Sequence, residues 1–285
     1  GTGQNFVIGD AGRIRVHSDS TTIIESFYAE VVGNDTVIVS EGLNVVVGGS
    51  GTDSITVLAF NDQDPQAFVI GDNGKITLQT SSSDLLSIES SDFDFGDKDL
   101  ITLTAGTNVV IGGAGGDEIT SQAGNNTILG DEGRAEFFAN GELRLIESTN
   151  LGAGADDILT LSDGVNNVIA GLGADIINVG GGRNFVHGDE GRLEVLVDGS
   201  DETLISTLNA TAGTPDDMDE IEIGAGFNVV VGGAAKDVID VKGTAVDARS
   251  SIIGDNGKIT LQTSSAVLLS IESSDFDFGD KDLIT

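Results

Sequence analysis

Cysteine is absent from all 285 residues, so no disulfide framework holds this chain, although that absence alone leaves its compartment open. Tryptophan is missing too, and there are only two prolines and two histidines. His17 and His187 have no partner cysteine or second histidine at zinc spacing, and no nucleophile motif appears. His187 takes the strand position held by Ile8, Ile70, Leu129 and Ile253 in other copies, and reads as a substituted surface residue. Positive charge is scarce. Thirteen Lys and Arg against 47 Asp and Glu give a formal charge of −34, which repels nucleic acid and anionic membrane surfaces and makes cations the expected partners. No run approaches 18 consecutive apolar residues, and Gly-Thr-Gly-Gln-Asn at the start lacks the regions of a signal peptide, so any export address is expected elsewhere.

What the chain has in quantity is glycine, 41 residues, and aliphatic side chains, mostly Val, Ile and Leu, within a 39% apolar fraction. Acidic disordered chains lack regular β-branched runs, and here they recur throughout. Gly-Asp-x-Gly returns at Gly9-Asp10, Gly71-Asp72, Gly130-Asp131, Gly188-Asp189 and Gly254-Asp255, at steps of 62, 59, 58 and 66 residues. The large repeat is therefore about sixty residues long, with copies at about 9–70, 71–129, 130–187 and 188–253 and a partial copy at 254–285.

A finer period lies inside. Asp followed two residues later by an aliphatic residue occurs as pairs 18 residues apart: Asp35 and Asp53, Asp99 and Asp117, Asp157 and Asp175, Asp219 and Asp237. Nine residues after most of them comes Gly-x-Asn, at Asn44, Asn108, Asn126, Asn166, Asn184 and Asn228, with Asn5 as a truncated copy. Nine residues hold one turn and one short strand, so two halves make a coil. Val37, Ile55, Ile101 and their equivalents then face inward, opposite Val46, Val110, Ile128, Val168, Val186 and Val230. The remaining 20 to 30 or so residues of each repeat read as a β-hairpin, as in 75–89 and in 134–147, where Asn140-Gly141 gives a tight-turn signal.

The predicted fold is all-β: one continuous right-handed parallel β-solenoid over 1–285 with 18-residue coils and a hairpin inserted in each repeat. The outward positions after Gly-x-Asn are also apolar (Val45 and Val47, Val109 and Ile111, Phe185, Val229 and Val231), a strip too large to leave bare. The hairpins offer a matching face through Ile14 and Val16, Ile76 and Leu78, Ala135 and Phe137, Leu193 and Val195, and Ile259 and Leu261. Two coils rise about 9.6 Å, the width of one hairpin, so the hairpins should abut into a third sheet over the strip. The Asp-led face, with Thr36, Ser54, Thr56, Glu118, Thr120, Glu220 and Glu222 outward, should stay in water. Neither end shows a polar cap, and 70–102 and 253–285 differ only at Ser83/Ala266 and Asp84/Val267, so a longer repetitive parent is expected.

Gly48-Gly49-Ser50-Gly51-Thr52-Asp53-Ser54-Ile55-Thr56 and Gly112-Gly113-Ala114-Gly115-Gly116-Asp117-Glu118-Ile119-Thr120 match the nonapeptide G-G-x-G-x-D-x-U-x at every fixed position. Here the chain resembles the RTX (repeats-in-toxin) β-roll. That resemblance implies several Ca²⁺ ions held by Asp53 and Asp117 together with carbonyls of the turn residues Gly48, Gly49, Gly51, Gly112, Gly113 and Gly115. Carried over residue by residue, it reaches Asp175 with Gly171 and Gly173, where only the first Gly is lost, and more weakly Asp237, where Ala235 replaces a Gly and Lys236 invites an ion pair instead. Split copies add Asp10, Asp72, Asp131, Asp189 and Asp255 from Gly-Asp-x-Gly and Asp35, Asp99, Asp157 and Asp219 after each hairpin, with Asp156 competing for the register of Asp157. Asp92, Asp94, Asp97 and Asp99, copied at Asp275, Asp277, Asp280 and Asp282, crowd so closely that a cation at the hairpin base is expected, against a solvated acidic loop. The Gly-x-Asn turns lack carboxylates and should carry a structural amide ladder.

Carboxylate pairs recur at every coil, whereas an active site would occur once, so the chain reads as a structural module and not an enzyme. The resemblance implies a Ca²⁺-folded extension module of a large secreted or cell-surface bacterial protein, adhesin-like, exported unfolded and in contact with neighbouring repeats of the same chain. Other readings stay open: a solenoid face that binds glycan, ice or a partner cell, the accessory β-roll of a secreted enzyme or toxin, and lateral self-association. No membrane insertion is expected.

Overall fold

The computed structural model describes residues 3–27, 30, 32–60, 65–208, 217–242, 249–273 and 282–285, and every regular element among them is a strand. Two nine-stranded parallel sheets form the solenoid. One takes the strands that follow the Gly-x-Asn turns, such as Leu43–Val47 and Thr107–Ile111, and the other takes the Asp-led strands, such as Ser54–Leu58 and Leu100–Leu103. Parallel neighbours pair without slippage: Val37, Ile55, Ile101, Ile119, Leu159, Ile177, Ile221 and Ile239 form one row. They meet Val46, Val69, Val110, Ile128, Val168, Val186 and Val230 from the other sheet in a single buried core. Register is fixed because a one-residue slip would turn this whole row outward.

Gln66–Ile70 fills the half coil after Asp53, where no Gly-x-Asn occurs, with Ala67 in place of Asn and Pro65 ahead of the strand. Arg249–Ile253 does the same after Asp237, with Ser250 beside Asn228. Gln66–Ile70 keeps the apolar positions at Phe68, Val69 and Ile70, whereas Arg249–Ile253 keeps Ile252 and Ile253 and puts Ser251 in register with Val229, so the coil survives without its marker.

Five hairpins abut, each strand antiparallel to its neighbours, into a third sheet of ten strands, Gly12–Val16 to Val267–Ser273. One face is a continuous row in which Ile24, Ile76, Ile88, Ala135, Ile146, Leu193, Ile205 and Ile259 stand side by side. It packs on Val45, Val47, Phe68, Val109, Ile111, Phe185, Val229 and Val231, a second buried core. The expected layer is therefore present. Ile14 and Val16, on the edge strand of this sheet, depart from it and are exposed.

The opposite face of the hairpin sheet carries a row of alternating charge, Arg13, Glu25, Lys75, Glu89, Arg134, Glu147 and Arg192, then Ser206, Lys258 and Glu272. Ion pairs link Arg13 to Glu25, Lys75 to Glu89, and Arg134 and Arg192 both to Glu147. On the Asp-led face Thr56, Thr102, Thr120 and Thr160 line up toward solvent as expected, but Ile38, Leu100 and Ile176 are exposed there as well.

His187 corrects the surface reading. It is 1% exposed, beneath the hairpin layer, with Nε2 3.0 Å from the Thr207 hydroxyl and its ring against Gly191. Burial pushes its pKa down to about 4, so it is neutral in the interlayer core.

Candidate metal centre

Asp35, Asp53, Asp99, Asp117, Asp157, Asp175, Asp219, Asp237 and Asp282 stack in one row at the turns leading into the Asp-led strands. The backbone N–H of each donates to Oδ1 of the next, from 2.7 Å at Asp35 to Asp53 to 3.1 Å at Asp237 to Asp282. This clamp leaves the second oxygen over. Oδ2 of Asp53, Asp99, Asp117, Asp157, Asp175, Asp219 and Asp237 is buried and has no hydrogen-bond partner. A buried carboxylate oxygen without a partner is costly, and such atoms in sequence-identical places point to a missing ligand.

Glycine makes the surrounding space. A Cβ on Gly48 would overlap both Asp53 Oδ2 and the Gly71 carbonyl oxygen of the next coil. The same holds for Gly71 with Asp99, Gly112 with Asp117, Gly130 with Asp157, Gly188 with Asp219 and Gly232 with Asp237. Each Oδ2 thus stands beside a backbone carbonyl from the neighbouring coil, with no side chain between. At Asp175 the equivalent residue is Ala170, itself buried.

A second row comes from Gly-Asp-x-Gly. Oδ2 of Asp10, Asp72 and Asp131 accepts the backbone N–H of Ser50 (2.8 Å), Ala114 (2.6 Å) and Leu172 (2.8 Å), and Asp189 accepts that of Ala234. These carboxylates lie over Gly49, Gly113, Gly171 and Gly233, all at positive φ, where a Cβ would strike them. Asp255, in the fifth copy, is half-buried. Gly51, Gly115 and Gly173, at φ 115°, 101° and 144°, instead press against backbone at Gly33, Asp97 and Ala155. Oδ1 of Asp72 and of Asp189 is buried without a partner.

The two rows feel each other. Burial first, then the Asp99 charge, pushes Asp72 up to about 9, and burial with Asp53 nearby holds Asp99 at about 8. Asp117 rises through burial and the charges of Asp157 and Asp99, and Asp131 through burial, Asp157 and Asp175. Asp157, not Asp156, enters the ladder; Asp156 is exposed and accepts from Ala174 N–H at 2.9 Å. Asp237 keeps the ladder geometry with a partnerless Oδ2, and Lys236 beside it is exposed.

Asp92, Asp94 and Asp97 are exposed, while Asp99 is wholly buried in the ladder. Among the described residues no three His, Cys, Asp or Glu side chains gather around one point, so any ion depends on backbone carbonyls. Asp275, Asp277 and Asp280 lie outside the described residues. Carboxylate and carbonyl oxygens with no nitrogen or sulfur are the donor set of a hard cation such as Ca²⁺, and the residues present fit it.

The opposite turns carry amides. Asn108, Asn126, Asn166, Asn184 and Asn228 hydrogen-bond in sequence at 2.8 to 2.9 Å, and Asn5 pairs with Asn44, with Ala67 interrupting between Asn44 and Asn108. Sequence reasoning passed over the residue between Gly-Asp and Gly. Asn73, Glu132, Glu190 and Asn256 are all buried there, Asn73 Nδ2 donates to Ser50 Oγ at 2.7 Å, and Glu190 accepts Gly152 N–H from the preceding repeat. Their shared phase was the available signal.

Residues 32–64, 102–134 and 160–192 match a family model, the RTX calcium-binding nonapeptide repeat. No curated protein and no solved structure matched the chain.

Proposed function

We propose, from the premise that this chain is built of RTX calcium-binding nonapeptide repeats wound into two parallel sheets under a hairpin layer, that it is a Ca²⁺-folded structural and extension module of a large secreted or cell-surface bacterial protein. One observation carries the reading: seven ladder aspartates present a buried, partnerless Oδ2. Ladder aspartates, the Gly-Asp-x-Gly aspartates and the glycine carbonyls of the turns would hold the ions. Neutralisation of the buried carboxylate charge is the chemistry that bound Ca²⁺ would supply there.

Repeats of this kind typify secreted bacterial proteins, and low cytosolic calcium would keep the chain unfolded until export. The module is read as non-catalytic because its carboxylates repeat coil after coil. Adhesin-like spacing between functional domains is the role that suits a rod of stacked repeats.

Calcium titration of chelated protein followed by circular dichroism tests this. Cooperative gain of β-structure with Ca²⁺, and little with Mg²⁺, is expected, because the turns offer many flexible oxygens and no rigid octahedron. A full β spectrum in excess chelator at about pH 8 would refute it.

A further inference from the structure

Two polar residues interrupt the apolar row beneath the hairpin layer. Across the Asn-led sheet Phe68 and Val109 stand on one side and Phe185 and Val229 on the other, with Thr127 and Asn167 in register between them. Thr127 is 7% exposed, and Asn167 Nδ2 donates to its hydroxyl at 3.3 Å. Together they form a polar floor. A cavity of about 640 Å³ opens between it and Phe137, Phe138 and Leu143 of the third hairpin. That volume falls within the roughly 300–1,000 Å³ of small-molecule sites.

Arg183 lines the same cavity. Its guanidinium lies over the rings of Phe185 (4.9 Å) and Phe227 (5.8 Å), and its Nε is buried with no hydrogen-bond partner. Arg134, Arg144 and Arg192 each pair with a glutamate, but among the described residues no carboxylate pairs with Arg183. Thr127 and Asn167 put a hydroxyl and an amide into a row that is apolar in the neighbouring coils, and Arg183 adds a buried Nε without a partner, so these groups are better explained by something they bind.

We propose that this cavity binds a sugar acid. The guanidinium fork of Arg183 suits a carboxylate, Thr127 and Asn167 offer hydrogen bonds to hydroxyls, and the Phe137 and Phe138 side chains suit the apolar C–H face of a pyranose. An aromatic acid would satisfy the arginine and the phenylalanines but make no use of the hydrogen-bonding capacity that Thr127 and Asn167 keep beyond their mutual bond. The site lies apart from the aspartate ladder and does not depend on the scaffold role.

Calorimetric titration of the calcium-loaded 285-residue chain with glucuronate, glucose and phenylacetate tests it. Glucuronate should bind at least about tenfold more tightly than either of the others. Arg183→Gln, and separately Thr127→Val with Asn167→Val, should each weaken glucuronate at least about tenfold while the circular dichroism spectrum is unchanged. The double valine variant puts apolar side chains where the neighbouring coils carry Val109 and Phe185, so it decides the matter if Arg183→Gln fails to fold. No glucuronate binding to the parent chain, glucose or phenylacetate binding as tightly, or full affinity in the double variant would each overturn the proposal.

Discussion

Asp53, Asp99, Asp117, Asp157, Asp219 and Asp237 each spend one oxygen on the backbone and hold the other beside a carbonyl, which sets their response to protons. Burial first, and then like-charged neighbours, hold the ladder residues Asp53 up at about 6, Asp237 at about 7 and Asp99 at about 8, and Asp189 of the second row at about 9, in the ion-free fold, against 3.8 unperturbed. The ion-free fold then binds more protons than the unfolded chain above the unfolded value, and its stability falls as pH rises through that window. In chelator, lowering the pH from about 8 to about 5 should therefore recover β-signal, while the calcium midpoint should move to higher concentration as protons compete. An ion-free signal flat across that range would contradict the buried ladder.

Ala235 makes a second point at this scale. It occupies the place of Gly51, Gly115 and Gly173 at φ 76°, a conformation that costs an L-residue about 1–2 kcal/mol. Ala235→Gly should stabilise the calcium-loaded chain by up to about 1 kcal/mol, read as a higher melting temperature, and lower the calcium midpoint. The aspartates were legible in the sequence because a nonapeptide is local: turn glycines, carboxylate and inward aliphatic lie within nine residues. His187 was misread because its burial comes from a hairpin that the strand pattern does not contain, and Glu132 and Glu190 were passed over because nothing in a single copy marks them as buried.

At the scale of elements, the hairpins read clearly, since alternation and the surplus of outward apolar residues both called for a cover. Ile146 shows how much rests on that cover: it is fully buried between Ala135 and Leu193 in the interlayer core. Ile146→Ala should cost about 2–5 kcal/mol, with hydrogen exchange rising mainly in the third hairpin and the strands next to it. Uniform loss of protection along the whole chain would argue against a repeat-wise core. The alternating charges on the outer face stayed hidden because half of the partners, such as Glu89 with Arg134 and Glu147 with Arg192, come from different repeats. Exposed pairs of this kind contribute about 0–1 kcal/mol each, so they tune the hairpin register more than they hold the layer.

Over the whole molecule, period alone led from sequence to two parallel sheets, because every copy carries the same inward row. The cavity at Thr127 and Asn167 was not legible, since it needs the third hairpin laid over one particular pair of coils. Parallel strands stacked coil on coil also carry a mechanical consequence. Backbone hydrogen bonds between coils point along the axis of the stack, as do the Asp and Asn ladders. A pull on the two ends therefore loads these bonds in series, and coils should peel away one after another instead of shearing together. Each repeat of about sixty residues spans only about 9.6 Å when folded and about 200 Å when drawn out, so every rupture would release a long slack and cap the tension along the chain.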